Sequence, residues 1–341
     1  MTENDEPTTV LYGRNGFAGR TATMVRAQYS PSYTRVVGTY APHLLDLHSL
    51  DPGAFADPRS LPVAVLRDEK VSLEVSYRRE PAPFSLRNVF ADELHVVLNG
   101  AATLETELGV LSVKKDDLVL IPRAITYRYS SIDGELRELI FASENELSFK
   151  MELGMGPLTH YENATPYADG SLRPGEFETV IRHGDEFTSI FTDYDPLPTV
   201  ESHGTVVVPK VNINDLRSVG MESGLLLPPL MFTDDDSHLM VYDLSARTGS
   251  RPPAHYNADY DECILYMAGP GKWGAVGTPG LITHTPKGLA HQGPVENVPE
   301  GYRAILIETR SKLTLTAAGR EIAKLAETDQ FSVHPSEAQS V

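Results

Sequence analysis

The sequence predicts a mainly β protein built from two similar halves. Three observations carry that expectation. Short runs of alternating apolar and polar residues recur along the chain, separated by turn-forming residues. Helical signal is weak throughout. A pattern around Glu93 returns around Glu262.

The runs are taken in order. Val63–Leu66, Val71–Tyr77, Leu94–Leu98, Ala102–Thr106 and Leu118–Ile121 read as strands of the first half. Phe187–Phe191, Val206–Val208, His238–Tyr242, Cys263–Met267 and Ala304–Glu308 continue the pattern in the second. Glycine and proline number 26 and 25 and are spread among the runs. That spread suits many short strands joined by turns, as in a sandwich or barrel. The best helical stretch is Thr316 to Leu325, where Thr316 can cap a run holding Ile322 and Leu325. A second short helical turn is expected over Asn214-Asp215-Leu216-Arg217. Residues 1–8 and 328–341 are polar and read as loose tails.

Composition narrows the function. A chain of 341 residues that is 41% hydrophobic can build a substantial core. Its formal charge of −18 repels phosphate backbones, so nucleic acid is not an expected partner. A local site can still oppose that charge and take a small anion. Cys263 is the single cysteine, so no intrachain disulfide forms. The first residues lack the positive start and apolar run of a secretory signal. No window approaches the roughly 18 apolar residues of a membrane helix. A soluble cytoplasmic protein with no membrane contact is the expectation.

The repeat localises the chemistry. Aligning Glu93 with Glu262 brings Asn88 onto Asn257 and Gly100 onto Gly269. Downstream of each copy a second block lines up by itself, Pro122 with Pro286 and Tyr127 with His291. The second copy carries His255 and His291 where the first carries Leu86 and Tyr127. In an extended segment His255 and Asn257 share a face. A turn through Ala258–Asp261 returns Glu262 on a neighbouring strand, and Pro286-Lys287-Gly288 supplies the turn before His291. Two imidazoles and a carboxylate suit a non-haem Fe(II) site with open positions. Any one of these residues alone is more often structural, but the three stand together in one copy only. Asp261 is the alternative carboxylate if the turn is one residue shorter. His95 reads as a structural histidine. His284 reads either as structural or as a support for the ligands.

These segments resemble the two motifs of the cupin family, H-x-H-xxxx-E-xxxxxx-G and P-x-G-x-x-H-xxx-N. The second copy gives His255, Asn257, Glu262 and Gly269, then Pro286, Gly288 and His291. Asn257 replaces the second histidine, and Val295 the closing asparagine. The resemblance implies two cupin β-barrels of jelly-roll type. The first, over 9–150, is degenerate and without metal; the second, over 151–327, holds the metal.

Several segments together are similar to the homogentisate 1,2-dioxygenase family, whose metal motif H-x-N-x-x-x-E accounts for Asn257. That family's T-P-H-G-P resembles His291-Gln292-Gly293-Pro294, with Gln292 inserted. Its closing F-E-S-S-L-S-L-A-V-T segment resembles the run from Ala304 to Thr316. Its W-H-G-N-Y segment resembles Ser202-His203-Gly204-Thr205-Val206, and its G-F-G-N segment is similar to Asn15-Gly16-Phe17-Ala18. The resemblance implies an Fe(II)-dependent dioxygenase that cleaves the ring of a hydroxylated aromatic acid with O2. Homogentisate, gentisate and hydroxyanthranilate are the expected substrate types. It implies metal on His255, Glu262 and His291, an acid/base role for His203, and a homo-oligomer. The family places a tyrosine near its substrate where Gly271 stands here, and Lys272 is the candidate to hold the substrate differently. Two other readings stay open. One is another metal-dependent cupin enzyme, such as an isomerase, decarboxylase or lyase; the other is a non-catalytic cupin that binds a small ligand.

Overall fold

The computed structural model describes residues 7–16, 19–150, 161–216, 229–247, 253–268, 279–293 and 298–329. Strands dominate, and they gather into two β-barrels. One grows from a 12-stranded sheet whose centre is Asp117–Ile121, Asp92–Thr106, Thr126–Ser143 and Val71–Arg78, in that order. The other grows from an 8-stranded sheet whose centre is Leu239–Arg247, Val298–Thr309, Asp261–Ala268 and Leu281–Thr285. A third, 3-stranded sheet joins Ala254–Asn257 to Thr8–Gly13 and Thr21–Arg26.

The two large sheets exchange strands across residue 150. His43–Asp46 pairs with Leu281–Thr285 in the second sheet, and Thr314–Leu315 pairs with Val63–Arg67 in the first. Pro209–Asn212 pairs with Asp117–Ile121. These exchanges go with shared packing. The largest hydrophobic core joins Leu73, Leu94 and Phe141 of the first sheet to Leu265, Ile282 and Ile305 of the second. Each such side chain contributes about 1.5–3 kcal/mol when it leaves water, so the barrels are fastened by apolar contact. Separate cores lie around Leu104, Val113 and Leu136 in the first barrel, and around Leu244, Tyr266 and Tyr302 in the second.

The repeated glycine has a clear cause at its first occurrence. Gly100 lies where the pairing with Thr126–Ser143 slips, at φ +82°. A Cβ there would sit 2.5 Å from the carbonyl oxygen of Glu135. Its counterpart Gly269 lies outside the described residues, as do Gly271 and Lys272.

Several expectations need correction. Val206–Val208 is not a strand. Val206 and Val207 are exposed, and the strand begins only at Pro209, where Asp117–Ile121 offers backbone partners. The helix is shorter than expected, Ala317–Ile322. Thr316 does cap it, accepting the Gly319 amide through Oγ1 at 3.0 Å, but Ala323–Leu325 leaves to pair with His43–Asp46. The turn near residue 214 is a 3-10 turn over Ile213–Asp215, capped by Asn212; Arg217 lies outside the described residues. The tails begin nearer the ends. Thr8 starts a strand, and buried Thr328 donates to the Pro31 carbonyl oxygen.

Candidate metal centre

Two backbone hydrogen bonds tie the histidine segments together. The His255 amide donates to the His291 carbonyl oxygen at 2.9 Å, and the His291 amide returns the bond at 2.8 Å. The turn before His291 is fixed in the same way, because the Gly288 amide donates to the Asn257 carbonyl oxygen at 2.7 Å. Gly288 adopts φ +79°, which a side chain would resist. The Pro-x-Gly spacing is thus a device for bringing His291 alongside His255.

Both rings are oriented by one rule. His255 Nδ1 lies 3.0 Å from the Pro253 carbonyl oxygen, and His291 Nδ1 lies 3.0 Å from that of Leu289. A carbonyl only accepts, so each Nδ1 carries the proton and each Nε2 carries a lone pair. The rings sit 4.3 Å apart between centroids. His291 Nε2 is 3.4 Å from Glu262 Oε2. One potential donor atom from each of His255, Glu262 and His291 lies within 4.8 Å of the other two. Tethering of Nδ1 with Nε2 turned inward is how metal-binding imidazoles are commonly set.

Electrostatics keep His255 and Glu262 in states that bind cations, whereas His291 is drawn toward its protonated form and would release that proton to an ion. Burial, helped by the neighbouring His291, pushes His255 down to about 4, so its imidazole is neutral near pH 7. Burial alone would raise Glu262, but the adjacent His291 and His255 outweigh it and hold the carboxylate below its usual range. His291 moves up, because Glu262 outweighs its burial. Two imidazoles and one ionised carboxylate fit a divalent ion of intermediate softness.

Asp261 is committed elsewhere. It is fully buried; its Oδ1 accepts the Lys287 amide at 3.0 Å and its Oδ2 the Leu313 amide at 2.9 Å. His284 Nε2 also lies 3.3 Å from Asp261 Oδ2, and its ring stacks on His43. His284 therefore supports the segment that carries Glu262 and not the three-residue cluster directly.

Sequence reasoning gave no role to Glu308. It pairs across the sheet with Glu262 and is only 5% exposed. Asn257 Nδ2 donates to its Oε1 at 3.1 Å. Burial, reinforced by the charge of Glu262, raises it to about 8. The signal was present: two glutamates in register on apolar strands that line one barrel. A loop from the start of the chain covers this carboxyl. A Cβ on Gly16 would sit 3.1 Å from Glu308 Oε2. Arg14 and the Asn15 amide both bind Asp259, and Arg310 donates to Asn15 Oδ1.

His203 is not brought to this cluster. Its side chain is 82% exposed and pairs with Glu201 at 2.8 Å, on the segment leading into the first sheet. In the first barrel, Leu86 and Tyr127 stand where His255 and His291 stand in the second, and both are buried.

The sequence model described as Homogentisate 1,2-dioxygenase N-terminal matches residues 84–210. Homogentisate 1,2-dioxygenases from two strains of Pseudomonas putida are each 25% identical over 171 residues. The chain is thus similar, at a distance, to homogentisate 1,2-dioxygenase. That alignment spans 46% of this chain and 37% of each relative. Among solved structures, an oxalate decarboxylase variant from B. subtilis is 10% identical, with 88% of each chain covered and a TM-score of 0.44. A cupin 2 conserved barrel domain protein from Leptotrichia buccalis is 11% identical, covering 80% of this chain and 98% of its own, with a TM-score of 0.40.

Proposed function

We propose that the chain is a non-haem Fe(II)-dependent dioxygenase that opens the ring of a hydroxylated aromatic acid, homogentisate or a relative such as gentisate or hydroxyanthranilate. One observation carries this reading. Two Nδ1-tethered imidazoles and an ionised carboxylate converge within 4.8 Å in the second barrel. The likeness to homogentisate 1,2-dioxygenase supports the choice of iron and of an aromatic substrate.

His255, Glu262 and His291 would hold the ion, and their single negative charge partly offsets a dication. Iron bound there would supply the electron transfer between an aromatic ring and O2. The remaining work belongs to the protein. A phenol must lose a proton to bind as phenolate, and an acceptor with a pKa near neutrality serves that step. Two residues are candidates. Glu308 stands across the strand from Glu262 with a carboxyl raised to about 8. His203 is the candidate from family resemblance and would have to approach from its exposed segment. The loop Arg14-Asn15-Gly16, latched to Asp259 and Arg310 and lying over Glu308, limits water on that side.

We further propose a division of labour, with a metal-free unit over 9–150 and a metal-bearing unit over 151–327 that exchange edge strands. A homo-oligomer and a cytoplasmic setting complete the proposal. Among the described residues no helix is long and apolar enough to cross a membrane.

The test is anaerobic loading with Fe(II), then oxygen uptake against homogentisate, gentisate, hydroxyanthranilates and catechols. Uptake with one of them, matched by loss of the aromatic absorbance, is the expected result. Iron bound without uptake on any of them would point instead to a non-oxidative cupin activity. In the same assay Glu308→Gln and His203→Ala compare the two proton acceptors. Each should retain iron, and the one that acts should lose roughly 100-fold or more in rate.

A further inference from the structure

The row of side chains that contains His291 and His255 continues beyond them. His291 lies opposite His255, His255 beside Leu11, and Leu11 opposite Thr23. Residues paired directly across neighbouring strands share a face. The four side chains therefore form one line across four adjacent segments. Strands lie about 4.8 Å apart, so the backbone at Thr23 stands roughly 10 Å from that at His255.

Exposure rises along this line. His291 is buried, His255 and Leu11 are half-buried, and Thr23 is exposed. Thr21 and Val25, two positions to either side of Thr23 on the same face, are exposed as well. The opposite face of the sheet is closed at its centre, where Val10 pairs with Ala254 and both are buried. The cluster of His255, Glu262 and His291 thus meets solvent along the hairpin of Thr8–Gly13 and Thr21–Arg26.

One flank of this path is roofed. Gly13 shares the face of Leu11, and an ideal Cβ on it would sit 2.5 Å from the Gly16 carbonyl oxygen. Gly16 in turn lies against Glu308. Leu11 and Thr23 are left as the floor of the way in. Along that floor the chemistry runs from imidazole to an isobutyl group to a hydroxyl. A planar ring with an oxygen at one edge and a polar arm at the other matches that order. Its oxygen would point to the imidazoles, its face would rest on Leu11, and its arm would lie among the hydroxyls of Thr21 and Thr23. Small-molecule sites are commonly apolar surfaces with a few polar groups that fix orientation.

We propose that the hairpin of Thr8–Gly13 and Thr21–Arg26 is the substrate-facing wall of the site, and that Leu11 decides which rings fit. The proposal rests on the aromatic-acid reading above and places its specificity in the first strand of the chain.

The test uses the full-length, iron-loaded protein. Anaerobic calorimetry reads the binding of homogentisate, gentisate and hydroxyanthranilates, and oxygen uptake then gives KM and kcat. Leu11→Trp fills the floor. It should weaken binding at least about 10-fold. KM should rise in step and kcat change less, with iron content and the circular dichroism spectrum unchanged. Ala22→Trp, exposed on the opposite face of the hairpin, should change none of these. If Leu11→Trp fails to fold, Thr23→Trp decides, because its position is exposed and tolerates bulk; it too should weaken binding. Equal binding by the wild type and the folded variant overturns the wall and leaves the dioxygenase reading standing. If no acid binds or is turned over, the dioxygenase reading falls, and nitrocatechol, a coloured ring ligand for iron, tests the wall alone. Weaker nitrocatechol binding by the variant supports the wall; equal binding, or none by the wild type, overturns it.

Discussion

The two barrels share a frame and differ in what surrounds one carboxylate. In both, an aspartate accepts backbone amides from two crossing segments. Asp92 takes those of Arg123 and Leu147, each at 2.7 Å, and Asp261 takes those of Lys287 and Leu313. The next residue is a glutamate facing the barrel interior. In the first barrel Glu93 is saturated by the protein. Asn88 Nδ2 donates to Oε1 at 2.8 Å, and the Tyr127 hydroxyl donates to Oε2 at 2.9 Å. His95 lies between Glu93 and Glu138, and the Tyr129 hydroxyl also binds Glu138. In the second barrel the positions in register with His95 and Glu138 carry Ile264 and Ala304. Asn257 has turned to Glu308, and Glu262 meets imidazoles instead of a tyrosine. The difference shows two settings for one buried carboxylate: internal donors satisfy it in the first barrel, whereas in the second it faces two imidazoles.

The largest effect should come from breaking the ligand side of that contrast. His255→Ala or His291→Ala should abolish stoichiometric iron, measured by elemental analysis after reconstitution. Loss of a group that merely supports a ligand costs about 10- to 100-fold in metal affinity, and loss of a ligand should exceed that. Leu86→Ala and Tyr127→Phe should leave iron content unchanged. Iron retained by both histidine variants would remove the centre from the second barrel.

Next comes the saturated carboxylate. His95→Leu strips the cation from between two buried glutamates, and a buried pair broken this way costs about 3–5 kcal/mol. Denaturant titration reads that loss, and iron content should not follow it.

The same network predicts a pH dependence. Burial lowers the His95 pKa, but Glu138 and Glu93 outweigh it and raise the imidazole to about 9. The folded state therefore holds a proton that the unfolded chain releases above about 6.5. This stabilisation is fully present below about pH 6.5 and disappears as pH rises through about 9. The span corresponds to about 3 kcal/mol, and the His95→Leu variant should lack that slope between pH 6.5 and 9.5. An equal slope in both proteins would show that His95 carries no raised affinity.

The smallest effect should fall on the shared aspartates. Asp92→Asn and Asp261→Asn should each cost about 1–3 kcal/mol, because a buried amide loses its charged acceptor. The two costs should be similar, since the device is the same. Iron bound by Asp261→Asn would also separate Asp261 from the ligand set.

Much of this was legible in the sequence. The strands around Glu93 and Glu262 follow from alternation, and the repeat aligned the residues that the two barrels set in equivalent places. Residue spacing brought His255, Glu262 and His291 into consideration together. What the sequence did not disclose depends on long-range register. Glu308 gains its place only through pairing with Glu262 across the sheet. The exchange of His43–Asp46 and Thr314–Leu315 between sheets leaves no local signature, because edge strands are chosen by the partner that reaches them. Val206–Val208 has strand propensity and no neighbour, so propensity misled. His203 drew attention by likeness to a segment, and its exposure comes from a loop path that no local rule encodes.

The early strand Thr8–Gly13 pairs in parallel with Ala254–Asn257, setting Leu11 beside His255. Asn15 and Asp259 touch although 244 positions separate them. On the ribosome, this first strand emerges long before its partner exists. Contacts so distant in sequence close slowly and late. The cluster of His255, Glu262 and His291 is therefore among the last parts of the molecule to form, and a chain stalled short of His291 would have a folded first core and no completed cluster. Bulky fusions ahead of Thr8 should be felt at the far end of the sequence, as weakened iron uptake before any loss of overall stability.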